Sequence, residues 1–296
     1  DVREETRRHV VYRDSSGVVR RALKDGTVRG TRASMDQFLE FPVSGPDDFD
    51  RLRERYDPRD PRRYPPNWDA LVRHWRDRDC PLCLLENASF GFYNTLRTWM
   101  GVERLSLAFY DRPGLVERMV GFLANFFIEL TRPALRALDI DYVSFFEDMA
   151  FRSGPLVSPR FFRRFFLPAY RKVVDHLRAG GVDIIWLDSD GNLADLLPCL
   201  LEAGITCVWP CERAAGMDPL ELRRRYGRDL ALCGGVDKRV LARGKEEIER
   251  EVRRTVPPLL ETGGYIPTLD HAVPPDVPYE NFMHYMDVKR DVLEGQ

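Results

Sequence analysis

From about residue 71 onwards, short apolar runs alternate with longer amphipathic segments, and this alternation constrains the fold more than any other feature. The short runs suit buried strands, whereas the longer segments have the spacing of helices. Successive parallel strands need a crossover connection, usually a helix, so the alternation predicts a parallel sheet. The predicted strands are residues 81–86, 141–146, 182–187, 205–209, 229–233 and 264–268, and the predicted helices are residues 113–138, 159–179, 195–203, 219–226, 246–261 and 279–293.

We predict that this sheet closes into a (β/α)8 TIM barrel. The six visible strands are two fewer than the eight of such a barrel. We therefore expect one strand hidden between residues 86 and 110 and a first strand upstream of residue 1. An open doubly wound sheet is the alternative. Neither of its nucleotide-binding fingerprints, GxGxxG and GxxxxGK[ST], occurs in the sequence, which favours the barrel.

Residues 1–65 have a different texture, being polar, rich in Arg and Asp, and interrupted by turn signals such as Lys24-Asp25-Gly26. Short hairpins and a Pro-rich connector fit that pattern. We predict an N-terminal extension of hairpins and loops over residues 1–65, packed on a catalytic barrel over residues 66–296. The total of 296 residues suits this division, because α/β barrels run to about 250 residues as one domain.

The composition excludes several classes of protein. Forty-five Lys and Arg against 47 Asp and Glu leave a formal charge of −2, so no basic surplus favours nucleic acid. No apolar run reaches 18 residues, which excludes a membrane span. Six cysteines are too few for a disulfide scaffold, and the first residues contain no apolar signal segment. We expect a cytoplasmic protein that acts on a small molecule.

Acidic or imidazole side chains recur directly after the predicted strands. In a barrel the carboxyl ends of all strands meet at one mouth, where catalytic groups lie. A single Asp in such a loop is more often a turn former or helix cap. Two motifs favour function: the Asp188 and Asp190 carboxylates precede Gly191, and His271 lies between an apolar strand and a Pro-Pro turn. We predict catalytic roles for Glu147, Asp188, Asp190 and His271, and substrate contacts for Glu212, Asp237 and Asp270.

Arg97 is a further candidate for substrate binding. It lies in the segment Arg-Thr-Trp-Met-Gly, and a guanidinium can bind an anionic group through two parallel hydrogen bonds. An ordinary salt bridge is an equal alternative at this position.

Residues 145–173 resemble the uroporphyrinogen decarboxylase superfamily, whose members carry a Ser-Pro, a Phe-rich helix and a Pro-x-Tyr. Here these are Ser158-Pro159, the phenylalanines that follow, and Pro168-Ala169-Tyr170. The resemblance extends over roughly residues 80–295, through residues 187–205, 210–218, 222–242 and 263–277. It implies a (β/α)8 barrel and one of two chemistries: porphyrinogen decarboxylation, or zinc-dependent methyl transfer to or from a corrinoid.

Departures from the family motifs bear on this choice. The decarboxylases have an Arg-rich N-terminal segment with a Gly-Arg-Tyr-Leu-Pro core, whereas the nearest string here is Arg62-Arg63-Tyr64-Pro65. Methyltransferases that act on thiols carry a His-x-Cys-Gly, which here reads Asp188-Ser189-Asp190-Gly191, and a late Cys, which here is His271. The resemblance thus implies a divalent metal, zinc foremost, on harder ligands, for which the candidates are Asp188, Asp190, Glu212 and His271.

A metal on such ligands would act as a Lewis acid on an oxygen, which suits an ether or methoxy donor. In the metal-free alternative, the same residues act as acid and base. We expect a methyltransferase that moves a methyl group from a small methoxylated or methylated compound to a corrinoid protein, the expected partner. The alternative is a uroporphyrinogen decarboxylase-type tetrapyrrole decarboxylase. A third hypothesis is a non-catalytic barrel that binds a tetrapyrrole or a corrinoid protein.

Overall fold

The computed structural model describes residues 1–25, 27–28, 31–32, 35–85 and 90–295. Its strands fall into an N-terminal group and a parallel group, with small two-stranded pairs beside them. In chain order the strands are β1 (Val2–Glu5), β2 (His9–Arg13), β3 (Val19–Leu23), β4 (Thr27–Val28), β5 (Thr31–Arg32), β6 (Gln37–Glu40), β7 (Cys83–Leu84), β8 (Tyr142–Phe146), β9 (Ala150–Phe151), β10 (Gly154–Pro155), β11 (Ile184–Asp188), β12 (Cys207–Trp209), β13 (Ala231–Cys233) and β14 (Tyr265–Ile266).

Helices connect the parallel strands and end the chain. They are α1 (Pro46–Arg53), α2 (Trp68–Arg76), α3 (Phe92–Met100), α4 (Val102–Asp111), α5 (Pro113–Ala137), α6 (Pro159–Phe161), α7 (Leu167–Ala179), α8 (Leu197–Glu202), α9 (Pro219–Tyr226), α10 (Lys245–Thr262) and α11 (Tyr279–Glu294). A π-helical segment, Phe162–Phe166, joins α6 to α7, so that the predicted helix over residues 159–179 is one continuous helical stretch. Ser158 caps its start by accepting a hydrogen bond from the Phe161 N–H.

The parallel sheet has the order β7-β8-β11-β12-β13-β14, and every neighbouring pair is parallel. All six predicted strands are present and each is shorter than its predicted run, β8 and β11 by one residue. Spatial order follows chain order throughout, with no reversal. A doubly wound sheet reverses its strand order at a switch point, whereas a barrel winds in one direction. The predicted parallel α/β class is confirmed, and its winding is that of a barrel.

Alternation along the strands gives the sheet two different faces. In β8, Val143 and Phe145 are fully buried, whereas Tyr142, Ser144 and Phe146 are only partly covered. In β11 the buried residues are likewise Ile185 and Leu187. Because successive side chains point to opposite faces, one face packs in the core while the other carries Tyr142, Phe146, Ile184, Trp186 and Asp188.

The strand predicted between residues 86 and 110 is wrong for the residues described there. Residues 90–110 form α3 and most of α4, and residues 86–89 lie outside the described residues. The buried side chains of α3, among them Phe92, Leu96 and Trp99, recur at helical intervals of three and four residues. This spacing is that of an amphipathic helix, whereas the incomplete strand count favoured a strand.

The chain forms two compact units. One consists of Asp1–Pro66 with Phe92–Leu130, and the other of Asn67–Gly91 with Thr131–Gln296. The first contains the antiparallel sheet β1-β2-β3-β6, as the hairpin prediction requires, and the second contains the parallel sheet. Among the described residues, no helix combines the length and apolar character needed to cross a bilayer.

Candidate functional site

A cavity of about 810 Å³ lies along the half-covered face of the parallel sheet. Its walls are mainly apolar and aromatic, and its described lining contains neither Lys nor Arg. The large lining side chains are Tyr142, Phe146, Ile184, Trp186, Trp209 and Ile266. This volume falls in the range of small-molecule sites, about 300–1,000 Å³, which are likewise mostly apolar with a few polar groups.

Two carboxyl groups line the cavity: Asp141 is paired with Arg78 at 2.8 Å, whereas Asp188 lies among the aromatic walls. The register of the sheet pairs it with Phe146 on β8 and with Trp209 on β12, and all three side chains line the cavity. Neighbouring strands are about 4.8 Å apart, so the carboxyl lies between two aromatic side chains in one row. No described residue donates a hydrogen bond to the Asp188 carboxylate.

Burial raises the pKa of Asp188 to about 7, and the nearby charges of Asp190 and Asp148 act in the same direction. Removing a carboxylate from water disfavours its charged form, and neighbouring negative charges add to this penalty. The Asp188 carboxyl is therefore divided between its protonated and ionised forms near neutral pH.

Asp190 and His271 form a pair next to this row. His271 Nε2 lies 3.3 Å from Asp190 Oδ2, and the imidazole stacks on the Trp209 ring with a centroid distance of 6.2 Å. Burial raises the pKa of Asp190, the charges of Asp148 and Glu212 raise it further, and the interaction with His271 opposes them. The structure thus brings together the two predicted motifs, which are 81 residues apart in the sequence.

Glycine at position 191 allows the loop after β11 to approach its neighbour. Gly191 has a φ of +85°, and a Cβ there would lie 2.8 Å from the backbone carbonyl of Ala150. The Gly191 N–H donates to Glu212 Oε2 at 3.2 Å, and Lys238 Nζ lies 3.7 Å from Glu212 Oε1. Glu212 therefore joins the loop of Asp190 to Lys238, in the loop that follows β13.

Asp270 stabilises two loops and does not belong to the cavity lining. It is fully buried, and its two carboxylate oxygens accept hydrogen bonds of 2.8 Å from the backbone N–H groups of Arg213 and Lys238. Burial raises the pKa of Asp270, although both hydrogen bonds oppose the shift. Asp270 thereby fixes the two loops that carry Glu212 and Lys238.

Among the predicted site residues, Asp188 alone belongs to the described cavity lining, and three further residues serve other roles. Glu147 is fully buried, and its carboxylate accepts a hydrogen bond from the Tyr170 hydroxyl. Its backbone N–H donates to the Asp188 carbonyl at 2.9 Å, which makes it a positioning residue for that strand end. Asp237 caps the 3₁₀ helix Lys238–Ala242 and pairs with Arg239 at 2.7 Å. Arg97 belongs to the first compact unit, where it donates to Asn94 Oδ1 at 2.7 Å.

Sequence reasoning missed Asp148, Lys238 and the cavity aromatics. Asp148 adopts a left-handed conformation, with φ of 45°, and its charge raises the pKa of both Asp188 and Asp190. The adjacent acidic pair at residues 147–148 was a visible signal, but the choice between its members depends on the backbone turn. Trp186 and Trp209 lie within strands predicted as buried, and only the pairing register shows which face they occupy.

The four predicted metal ligands do not form a metal-binding set in this arrangement. Among the described residues, no group of three or more His, Cys, Asp or Glu side chains is placed to hold an ion. Glu212 is engaged by Gly191 and Lys238, and a neighbouring ammonium competes with a cation for the same carboxylate. The zinc site stays a prediction.

Fold and site together define a singly wound parallel α/β protein with an aromatic cavity and acidic groups at the strand ends. The family model described as "Uroporphyrinogen decarboxylase (URO-D)" matches residues 37–292. The chain therefore belongs to the uroporphyrinogen decarboxylase family, as the sequence motifs predicted.

Its curated relatives are similar over about half of this chain. It is 30% identical over 139 residues to the chloroplastic uroporphyrinogen decarboxylase of Zea mays, covering 46% of this chain and 34% of that protein. The uroporphyrinogen decarboxylase of Syntrophotalea carbinolica is 29% identical over 135 residues, covering 45% and 38%. The matches thus span little more than a third of the relatives' length.

A solved structure described as a methyltransferase from Methanosarcina mazei has the same fold. The TM-score is 0.59 at 16% identity, and the match covers 89% of this chain and 74% of that one. At this identity the similarity establishes the fold alone.

Proposed function

We propose that this chain transfers a methyl group from a small methoxylated or methylated compound to the corrinoid of a partner protein. The corrinoid is the methyl acceptor and hence a substrate. We also propose that the six parallel strands belong to a (β/α)8 barrel, the fold that family membership implies. Single-direction winding of the sheet supports this proposal.

The observation that carries the methyl-transfer proposal is the charge of the cavity. Its described lining has aromatic walls and the carboxyl groups of Asp188 and Asp141 but no Lys or Arg, and Asp190 and Glu212 lie close by. Uroporphyrinogen carries eight carboxylates, which require convergent cationic donors. An aromatic, acidic cavity would repel such a polyanion, whereas a small neutral or cationic methyl donor meets no such repulsion.

Asp188 is the residue to which we assign direct contact with the donor. In its protonated form it can donate to the oxygen of a leaving alkoxide or phenoxide, and its pKa of about 7 suits proton transfer at neutral pH. In its ionised form it can face a cationic donor. The Asp190–His271 pair, stacked on Trp209, would orient the donor at the edge of the same row.

Decarboxylation of a tetrapyrrole is the second candidate. The similarity to named uroporphyrinogen decarboxylases supports it. In that case, cationic side chains outside the described cavity lining would have to bind the substrate carboxylates.

The test supplies the purified chain with a reduced corrinoid carrier and a panel of methoxylated aromatics and methylated amines. We expect methyl-cobalt to form, seen as a change in the corrinoid absorption spectrum, and no carbon dioxide from uroporphyrinogen. Asp183→Asn is a matched control for Asp188→Asn, because Asp183 lies at the other end of the same strand segment with an exposed side chain. Release of carbon dioxide without methyl-cobalt would establish the second candidate instead. If neither product forms, the result favours a non-catalytic binding protein.

A further inference from the structure

The Asp188 carboxylate faces the cavity without a cationic or hydrogen-bonding partner from the described protein. By contrast, other carboxylates nearby that are removed from solvent have such partners: the fully buried Asp270 has two backbone N–H groups, and the half-buried Asp237 has the Arg239 guanidinium. A half-buried carboxylate without a partner is costly, and proteins retain such groups where a ligand supplies the compensation.

Aromatic side chains surround this carboxylate. Phe146 and Trp209 lie on either side of it in the same row of the sheet, and Trp186 lies two residues earlier on the same face. Aromatic faces attract cations, and several faces around one point form the arrangement that recognises quaternary ammonium groups. Such a group offers no N–H donor, so it gains little from amides or hydroxyls and much from aromatic rings and a carboxylate.

We propose that the row Phe146–Asp188–Trp209, with Trp186 beneath it, binds a methylated ammonium cation, with Asp188 as its counter-ion. This inference rests on the proposed methyl transfer and names its donor class: a compound with an N-methyl group on a positively charged nitrogen. The other nearby acidic groups strengthen the site, because Asp190 and Glu212 add negative potential. Lys238, the nearby lysine, is already paired with Glu212 at 3.7 Å.

Methyl transfer from such a donor needs no co-reactant besides the reduced corrinoid. An electron pair on the reduced cobalt forms the new bond to the methyl carbon while the carbon–nitrogen bond breaks. The electron pair of that bond stays on nitrogen, which leaves as a neutral amine without needing a proton. The positive charge on the donor disappears in this step, so Asp188 acts in binding and orientation rather than in proton transfer.

A pair of isosteric ligands tests the site in the full chain without any corrinoid. Choline and 3,3-dimethyl-1-butanol differ in the replacement of the charged nitrogen by carbon. We expect calorimetry to show choline binding at least ~10-fold more tightly than the neutral compound, with the preference decreasing as salt is added. Equal affinities for the two compounds, or a preference for the neutral one, would overturn the proposal on the unaltered protein.

Substitutions then assign the preference to residues. Asp188→Asn should weaken choline binding about 10-fold and leave binding of the neutral compound within about 2-fold, whereas Asp183→Asn should change neither. Trp209→Leu should weaken choline binding about 5-fold. Trp209→Phe keeps an aromatic face and should lose less than half as much choline affinity. Circular dichroism checks that each variant is folded. Unchanged choline binding in a folded Asp188→Asn variant would remove Asp188 as the counter-ion and contradict the inference.

These results separate this inference from the proposed function. Methyl-cobalt formation from neutral methoxylated aromatics, without choline binding, would keep the methyl transfer and remove the ammonium donor. Choline binding without methyl-cobalt from any methylated amine would keep the cation site and contradict the methyl transfer.

Discussion

Acidic residues follow both β11 and the pair β13 and β14, yet the two regions use them in opposite ways. After β13, Asp237 pairs with the Arg239 guanidinium, and after β14, Asp270 accepts hydrogen bonds from two backbone N–H groups. Both residues hold loops in place. At the end of β11, Asp188 lacks such a donor among the described residues and faces the cavity. Position at a strand end therefore indicates where polar groups gather, whereas the hydrogen-bond partners distinguish an anchor from a ligand-facing group.

The largest expected effect of a single substitution is at Asp270. Asp270→Ala leaves the buried N–H groups of Arg213 and Lys238 without acceptors, each at a cost of about 1–3 kcal/mol. We expect the free energy of unfolding, measured with urea, to fall by about 2–5 kcal/mol. A loss below about 0.5 kcal/mol, which is typical of exposed positions, would show that Asp270 is not an anchor.

The converse is expected at Asp188, where function should suffer more than stability. Asp188→Asn retains shape but removes both the proton donor and the negative charge, so methyl transfer should fall at least ~10-fold. Single-turnover rates with the corrinoid carrier measure this, with Asp183→Asn as the control. Rates within about 2-fold of those of the unaltered protein would show that Asp188 has a structural role like that of Asp237 and Asp270. The two regions would then use their acidic residues in the same way.

The pH dependence of stability should show the same contrast. The pKa of Asp188 is about 7 in the folded chain against 3.8 as its ordinary value, so between these values the folded chain retains a proton that the unfolded chain releases. The stability that protonated Asp188 contributes is complete below pH 3.8 and is lost as pH rises through about 7. Asp188→Asn should therefore become progressively more stable than the unaltered protein from pH 4 to pH 8, by urea unfolding. A constant difference across this range would contradict the raised pKa.

Asp237 should give the smallest effect, with the opposite pH dependence. Burial works to raise its pKa, but the Arg239 guanidinium and the Arg239 N–H outweigh burial and lower it below 3.8. Its ionised form therefore stabilises the fold above that pH, and the contribution is lost as pH falls through the lowered pKa. Asp237→Asn keeps the helix cap, so we expect a loss of about 0.5 kcal/mol at pH 7 that disappears at low pH. Destabilisation that persisted in acid would show that the charge of Asp237 is not responsible.

The sequence predicted the parallel sheet and the meeting of its strand ends, because strand periodicity and chain order are local properties. All six strands, and helices such as α9 at Pro219–Tyr226, lie where the pattern placed them. The helices α3 and α4 were not predicted, because their closely spaced apolar residues also fit a buried strand. Their helical spacing was visible, but an incomplete strand count favoured the other interpretation.

Individual roles within the site were less predictable. Asp190 and His271, 81 residues apart in the chain, were predicted to share a pocket, and they lie 3.3 Å apart. Whether Glu147 faces the cavity or Tyr170 depends on the turn at Asp148, which no sequence pattern specifies. The aromatic row depends on register, since a shift of one residue would move Trp209 to the other face of the sheet.

The measurement that tests the proposed methyl transfer most directly follows isotopic label from competing substrates in one vessel. The purified chain and a reduced corrinoid carrier receive a donor with a ¹³C-labelled N-methyl or O-methyl group together with carboxyl-¹³C uroporphyrinogen, and ¹³C NMR records where the label goes. We predict that the methyl label moves to cobalt at a rate that depends on Asp188, while the carboxyl label stays on the tetrapyrrole. Label appearing in carbon dioxide, with none on cobalt from any methyl donor, would contradict the account.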